Sequence, residues 1–350
     1  MTDRIHRSMA SAAMAALAAL LLVAWADAAP DKAEQSVIAP SPTSKSAPKQ
    51  SPKQAPKQTP VQAPKQTSKQ SQRSAPRTAS NAAPTPTGKK YDLRYRLRAG
   101  EILRYDVEHQ AAIRSTIDES TQAAQTETTS VKAWKVIDVL PNGQMEFANV
   151  VERVRMVNQL PDRAPTEYDS RRDKTPPPGF EQAAKAVGVP LSVIRITPRG
   201  EIVRRNVKVR QDAAEDDAAI VVRLPDKPVA IGDTWDEPHQ VTVELQTGGT
   251  KLLETRRHYE LTGVANGIAS IEVTYQVLSP VNPQIESQIV ARLMNGTVRF
   301  DIRRGRVVGQ QMEVDKRILG FAGPTSSLHY LMRMQEELAK PAAKVARKPR

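Results

Sequence analysis

Trp134-Lys135-Val136-Ile137-Asp138-Val139-Leu140-Pro141-Asn142-Gly143 and His258-Tyr259-Glu260-Leu261-Thr262-Gly263-Val264-Ala265-Asn266-Gly267 are two runs of one kind, and they decide the fold. Both are rich in β-branched and large apolar residues. Both end on Asn-Gly, a pair that accepts the positive φ of a tight hairpin turn. A return run follows each. In the first, Met145 and Phe147 share a face with Glu146 opposite. In the second, Ile271, Val273, Tyr275 and Val277 share a face, with Glu272 and Thr274 opposite. This one-sided alternation predicts antiparallel strands with one solvated face.

The likeness extends outward from the two runs. Ala99-Gly100-Glu101 opens a long strand before the first, and Ile231-Gly232-Asp233 opens one before the second. A further hairpin signal closes each copy, turning on Arg199-Gly200 in one and on Arg304-Gly305 in the other. Two copies are too few for a solenoid. The fold class is therefore mainly β. Two similar antiparallel β-meander halves, about 91–210 and 224–320, lie side by side or share one curved half-barrel-like sheet. Helix signals are few. Residues 179–187 follow three prolines and predict a short helix. Residues 325–339 predict a C-terminal helix docked on the sheet. There Leu328, Leu331, Met332, Gln335 and Leu338 recur at helical spacing, behind a Ser326 or Ser327 cap and before Pro341.

The ends of the chain set the compartment. Residues 1–28 read as a secretory leader. Arg4 and Arg7 precede an apolar run over 9–26, and Ala26-Asp27-Ala28 offers a small-x-small cleavage site before Ala29. The alternative is an uncleaved membrane anchor, since the run approaches the roughly 20 apolar residues a spanning helix needs. Residues 29–90 read as a disordered tether, with Pro-Lys-Gln repeated at 48–50, 52–54, 56–58 and 64–66. Proline removes backbone donors, and the segment has too little apolar surface to offset the entropy of ordering. The region 91–339 is the folded part, and 340–350 is a basic tail.

The chain carries 51 Lys+Arg and 38 Asp+Glu, a net charge of +13. Residues 35–90 carry ten basic residues and no acidic one, and the tail carries five, which with a net of −1 over 1–34 leaves 91–339 at a net of −1. A folded nucleic-acid reader carries its basic patch on the fold, so no nucleic-acid partner is expected. The expected partners of the basic ends are anionic cell-wall polymers or a membrane surface, bound through counterion release. The alternative is a soluble spacer kept extended by self-repulsion. The sequence identifies no protein partner.

There is no cysteine. This excludes disulfides, thiol nucleophiles, thiolate metal sites and lipid attachment at a cysteine, in a folded region large enough to be stable without staples. No Gly-x-Ser-x-Gly elbow, His-Glu-x-x-His helix, phosphate loop or dinucleotide fingerprint occurs. Aromatic residues make up 4% of the chain, which disfavours a stacking platform for sugars or bases.

Asp233, Asp236, Glu237 and His239 cluster beside Trp235 and offer oxygen and imidazole ligands for a divalent cation. A turn at Gly232-Asp233 entering a strand, with Trp235 in the core, explains the same residues without a metal. His109, His258 and His329 are isolated in sequence. No catalytic, cofactor or metal residue is assigned, and no cofactor is expected.

The strand opening within Leu224-Pro225-Asp226-Lys227-Pro228-Val229-Ala230-Ile231-Gly232-Asp233-Thr234-Trp235 and the hairpin Asp301-x-x-x-Gly305-Arg306-Val307-Val308 resemble a family of secreted bacterial proteins catalogued as a domain of unknown function. The likeness covers about 91–320. It implies a β-rich fold and no activity or site residues. The curved sheet is also similar to the half-barrels of envelope lipoprotein carriers. Three readings follow. The first is a non-catalytic binding or structural envelope module on a cationic tether. The second is a carrier of a lipid or acyl ligand, which needs an apolar groove beyond core packing. The third is a hydrolase with a dispersed site, which needs histidine, carboxylate and nucleophile in one cleft.

Overall fold

The computed structural model describes residues 88–209 and 221–340. The leader, most of the tether and nearly all of the tail lie outside the described residues. Twelve strands form in chain order: β1 Ile102–Ile117, β2 Ser120–Val139, β3 Met145–Gln159, β4 Thr166–Asp169, β5 Pro190–Ile196, β6 Ile202–Val207, β7 Thr234–Glu244, β8 Thr250–Ala265, β9 Ile268–Val277, β10 Asn295–Asp301, β11 Arg306–Leu319 and β12 Ser327–Leu338. Two short helices are α1, Glu181–Ala186, and α2, Pro283–Ile289. The strands build one antiparallel sheet in the order β6-β5-β3-β2-β1-β12-β11-β10-β9-β8-β7, with β4 paired to the far part of β3. The sheet is not closed: β6 and β7 are its two free edges.

The duplication reappears in this order. Leaving aside β4, which pairs off the main path of the sheet, the first half runs β1-β2-β3-α1-β5-β6 and the second runs β7-β8-β9-α2-β10-β11. Both are meanders with a short helix inserted before the fourth strand. They share one sheet and meet across β12, which pairs with β1 on one side and β11 on the other.

β12 corrects the predicted C-terminal helix. Leu, Met, Gln and Glu are good helix formers, so the run Ser327–Leu338 fits a 3.6 period as well as a period of two. The tie is broken by long-range pairing. β1 and β11 each have an edge to satisfy, and one strand laid between them satisfies both. The buried residues are then Leu328, Tyr330, Met332 and Glu336, while Gln335 faces solvent. Ser326 caps no helix. Its hydroxyl donates to the Gly323 carbonyl at 2.7 Å and accepts from the Ala322 amide at 2.8 Å, closing the turn into β12.

The sheet curls so that both of its halves feed one core. Leu103, Tyr105, Trp134, Phe147 and Ile194 from one half pack in the same cluster as Tyr259, Ile271, Val298 and Phe300 from the other. Residues 91–97 run through this core as an extended segment outside the ladder. Leu93, Tyr95 and Leu97 alternate inward and are 0%, 2% and 6% exposed. The Tyr95 ring meets Phe300 edge-on at 5.5 Å and Trp134 at 6.4 Å, bridging opposite walls.

The duplicated Arg-Gly hairpins hold this segment from both sides. The Tyr95 amide donates to the Pro198 carbonyl at 2.8 Å, and the Arg96 amide donates to the Gly305 carbonyl at 2.9 Å. Arg199 donates to the Leu93 carbonyl at 2.5 Å and pairs with Asp92 at 2.8 Å. Both turn glycines are required by space and conformation. A Cβ on Gly200 (φ +80°) would lie 2.4 Å from the Val222 carbonyl, and one on Gly305 (φ +65°) would lie 2.6 Å from the Arg94 carbonyl. Left-handed backbone costs a side-chain-bearing residue about 1–2 kcal/mol, and overpacking adds about 1–3 kcal/mol. Gly305→Ala is therefore expected to lower stability by about 3 kcal/mol, read as a fall in urea midpoint at unchanged slope.

Candidate functional site

The free edges β6 and β7 face a cleft of about 400 Å³, which we call the seam. Its lining includes Ile202, Arg223, Glu237, His239, Tyr275 and Arg292. At this open edge β7 contributes both of its faces, with Asp236, Pro238 and Gln240 lining the cleft beside Glu237, His239 and Val241. On β7 the odd positions Trp235, Glu237, His239, Val241 and Val243 point inward, and the even positions point out. Val241 and Val243 join α2 in an apolar cluster at one end, and Trp235 stacks on Tyr259 at 5.5 Å at the other. The two polar positions between them fall opposite Arg257 and Thr255 of β8.

Glu237 is the centre of the seam. Its carboxylate accepts from the Tyr259 hydroxyl at 2.8 Å, pairs with His239 at 3.4 Å and lies 4.0 Å from Arg257. Burial pulls its pKa upward. The contact with His239, the hydrogen bond from Tyr259, and the charges of His239 and Arg257 outweigh burial and hold it below the usual carboxylate range. Burial and the neighbouring Glu237 raise the Tyr259 hydroxyl well above its ordinary value, so it stays a donor. Arg223 enters from the segment after β6 and pairs with Glu201 at 3.2 Å and Asp226 at 3.1 Å. Its carbonyl accepts from the Trp235 indole at 2.9 Å, which ties this segment to β7.

The β7 edge is built to stay unpaired. Its even residues turn their backbone groups toward the open side. One of them is Pro238, which has no N–H to offer a further strand. Higher up the same edge, the Glu244 amide donates to the Gln288 side chain of α2 at 2.9 Å. The seam therefore stays a gap rather than a place for β6 and β7 to join.

The four clustered residues of the sequence do not converge. The Asp233 carboxylate accepts from the Ala230 amide at 2.8 Å and closes the turn into β7. Asp236 faces outward and pairs with His258 at 2.7 Å and Arg256 at 2.9 Å. Only Glu237 and His239 meet, on the inner side. Among the described residues no group of three or more His, Asp or Glu is placed to hold a metal ion. Trp235, expected in the core, stands at its rim and is partly buried against it.

His329 pairs with Asp315 at 2.7 Å on the outer face. His109 lies on the inner face, between Val107 and Ala111. No imidazole of these pairs is hydrogen-bonded to a serine or threonine hydroxyl among the described residues. Thr255, opposite His239, donates to its backbone carbonyl at 3.1 Å and accepts from Tyr275 at 3.0 Å. Arg223, Arg257, Tyr259 and Tyr275 were not singled out from sequence. The signal for Arg257 and Tyr259 is the shared odd parity of β8, which register with β7 alone reveals.

The fold and site together define an open antiparallel half-barrel with a polar seam. Neither protein-family models nor curated proteins give a match to the chain. Among solved structures the chain is similar to lipovitellin, in a structure titled for its lipid–protein interactions, at 12% identity and a TM-score of 0.39. That match covers 72% of this chain, which spans about a quarter (27%) of the lipovitellin chain. A DUF1329 family protein from Desulfovibrio piger gives 10% identity and a TM-score of 0.13, covering 69% of this chain and 89% of its own. DynF of the dynemicin biosynthesis pathway of Micromonospora chersina gives 6% and 0.17, covering 73% and 95%. At these scores none of them bears on what the seam does. No helix among the described residues is long and apolar enough to cross a membrane.

Proposed function

We propose that the chain is an exported, non-catalytic binding module of the cell envelope, with its ligand seat at the seam. One observation carries this reading. The cleft between β6 and β7 is lined by the Glu237 carboxylate and the His239 imidazole, which pair with each other, with Arg223, Tyr275 and Arg292 beside them and few apolar side chains. Groups held in place by each other lose little freedom on binding, which favours a small polar ligand offering both donors and acceptors. Elsewhere the concave face is occupied by the chain's own parts. Residues 91–97 fill one end, and α1, α2 and the turn at 290–292 cover the other. The basic tether and tail then hold the near-neutral fold on anionic wall polymers or a membrane surface.

Two measurements test the two parts. Full-length protein is expected to sediment with anionic phospholipid vesicles at 0.1 M salt and to release at 1 M, as the Debye length falls from about 10 Å to about 3 Å. A chain trimmed to residues 91–339 stays in the supernatant. Equal sedimentation of the trimmed chain would refute the role of the ends. For the seam, soluble wall fragments are expected to raise the thermal midpoint of the full chain and not that of Glu237→Gln. An equal rise in both moves the ligand off the seam.

A further inference from the structure

A second cavity lies away from the seam, between two apolar clusters that do not merge. One cluster gathers Ile113, Val314, Ile318, Leu328 and Tyr330 from β1, β11 and β12, with Leu160 packed against it. The other gathers Val154, Met156 and Tyr168 under Phe180 and Ala183. Between Leu160 of the first and Phe180 of the second is a space of about 410 Å³. Pro178 completes its apolar wall, and Thr126, Asn158 and Arg163 supply polar atoms.

Three facts give this space a chemistry. Asn158, paired with Thr126 across β2 and β3, has a buried side-chain oxygen without a hydrogen-bond partner. A buried polar atom left unpaired costs about 1–3 kcal/mol, so such an atom beside a cavity marks a missing partner. Arg163 is exposed on the β3–β4 loop and makes no ion pair with any described residue. The loop itself is held in shape, because the Gln159 side chain donates to the Leu160 and Arg163 carbonyls at 3.2 Å and 2.6 Å. At about 30 Å³ for each water-sized centre, the space takes on the order of a dozen heavy atoms.

We propose that this cavity binds a single-chain amphiphile of about ten carbons with a carboxylate head. The chain lies between Leu160, Pro178 and Phe180 and joins the two apolar clusters. The head sits at the mouth on the Arg163 guanidinium. The Asn158 amide, by rotation, offers the head a donor as readily as an acceptor. The site is independent of the seam.

The probe is decanoate, titrated by calorimetry into the full chain at pH 7.5. Saturable one-to-one binding is expected. Octanoate should bind about 15-fold more weakly, about fourfold for each methylene lost. Decanol should also bind more weakly than decanoate, and Arg163→Gln should abolish that difference. Ala164→Trp places a ring in the mouth from an exposed loop position, which spares the core, and should cost at least tenfold. Glu237→Gln should change nothing, which separates this site from the seam. Absence of saturable binding, indifference to chain length, a difference between decanol and decanoate that survives Arg163→Gln, or unchanged affinity in Ala164→Trp would each overturn the assignment.

Discussion

Tyr95→Ala is expected to remove about 4 kcal/mol of folding stability, among the largest effects of any single truncation in this chain. The ring is 2% exposed and stands between Trp134 and Phe300, on opposite walls of the curled sheet. Removing it leaves a hole that neither wall can close, because each is tied into its own ladder. The hydroxyl adds a second loss. It donates to the Val222 carbonyl at 3.2 Å and accepts from the Val222 amide at 3.1 Å. Burial raises its pKa, so it stays protonated and available for both bonds. Tyr95→Phe keeps the ring and orphans both Val222 groups, for an expected loss of about 1–3 kcal/mol. Urea unfolding of the two variants separates packing from hydrogen bonding. A loss below about 1 kcal/mol in Tyr95→Ala, well under the usual cost of an aromatic truncation, would show that residues 91–97 only decorate the core.

Acid is expected to destabilise the fold through His109. Burial first, and the charge of Lys132 second, lower its pKa from 6.5 to about 4. The folded state therefore refuses a proton that the unfolded chain accepts below pH 6.5. Stability is fully present above the unfolded value and is lost progressively as pH falls from 6.5 toward 4. The charges packed on this part of the inner face are Lys132 of β2 and Glu336 of β12, which pair with each other at 3.3 Å. Lys132 is thus engaged, but its charge still opposes an imidazolium. A tenfold change in proton affinity corresponds to about 1.4 kcal/mol, so the loss between about pH 7 and about pH 4.5 is on the order of 2.5 kcal/mol. His109→Gln removes the titrating group. Its urea midpoint should fall less over the same interval, and by about that margin. Parallel pH profiles for the two proteins would place the acid sensitivity elsewhere. Glu237 is a second contributor of the same sign. Its lowered pKa lends stability above the ordinary carboxylate range that is lost as the group protonates.

The strands were legible because their information is local. Alternation at Met145 and Phe147, or at Ile271 and Val273, depends only on a period of two, and the turn residues sit where the chain reverses. The paired halves were legible for the same reason, as repeated strand and turn signals. β12 was not. The run Ser327–Leu338 satisfies two periods, and the choice between them belongs to β1 and β11, of which β1 lies far away in sequence. The seam was half legible. Glu237 and His239 stood out as a cluster, but their separation from the outward-facing Asp236 became meaningful only once β7 was a strand. Their partners Arg257 and Tyr259 come from the next strand by register.

Composition and pattern alone pointed to an antiparallel β fold, and the sequence count places residues 91–339 near neutral between stretches rich in Lys and Arg. These follow from side-chain period, turn chemistry and charge count, none of which needs a distant partner. Tertiary structure decided the rest. It placed the Arg-Gly hairpins of both halves against residues 91–97, turned a helix-forming run into the strand that joins the halves, and left β6 and β7 apart with Pro238 on the open edge. Each of these is an arrangement of segments far apart in the chain. Its energy depends on which surfaces remain unpaired when the sheet curls, and no local window of sequence carries that information.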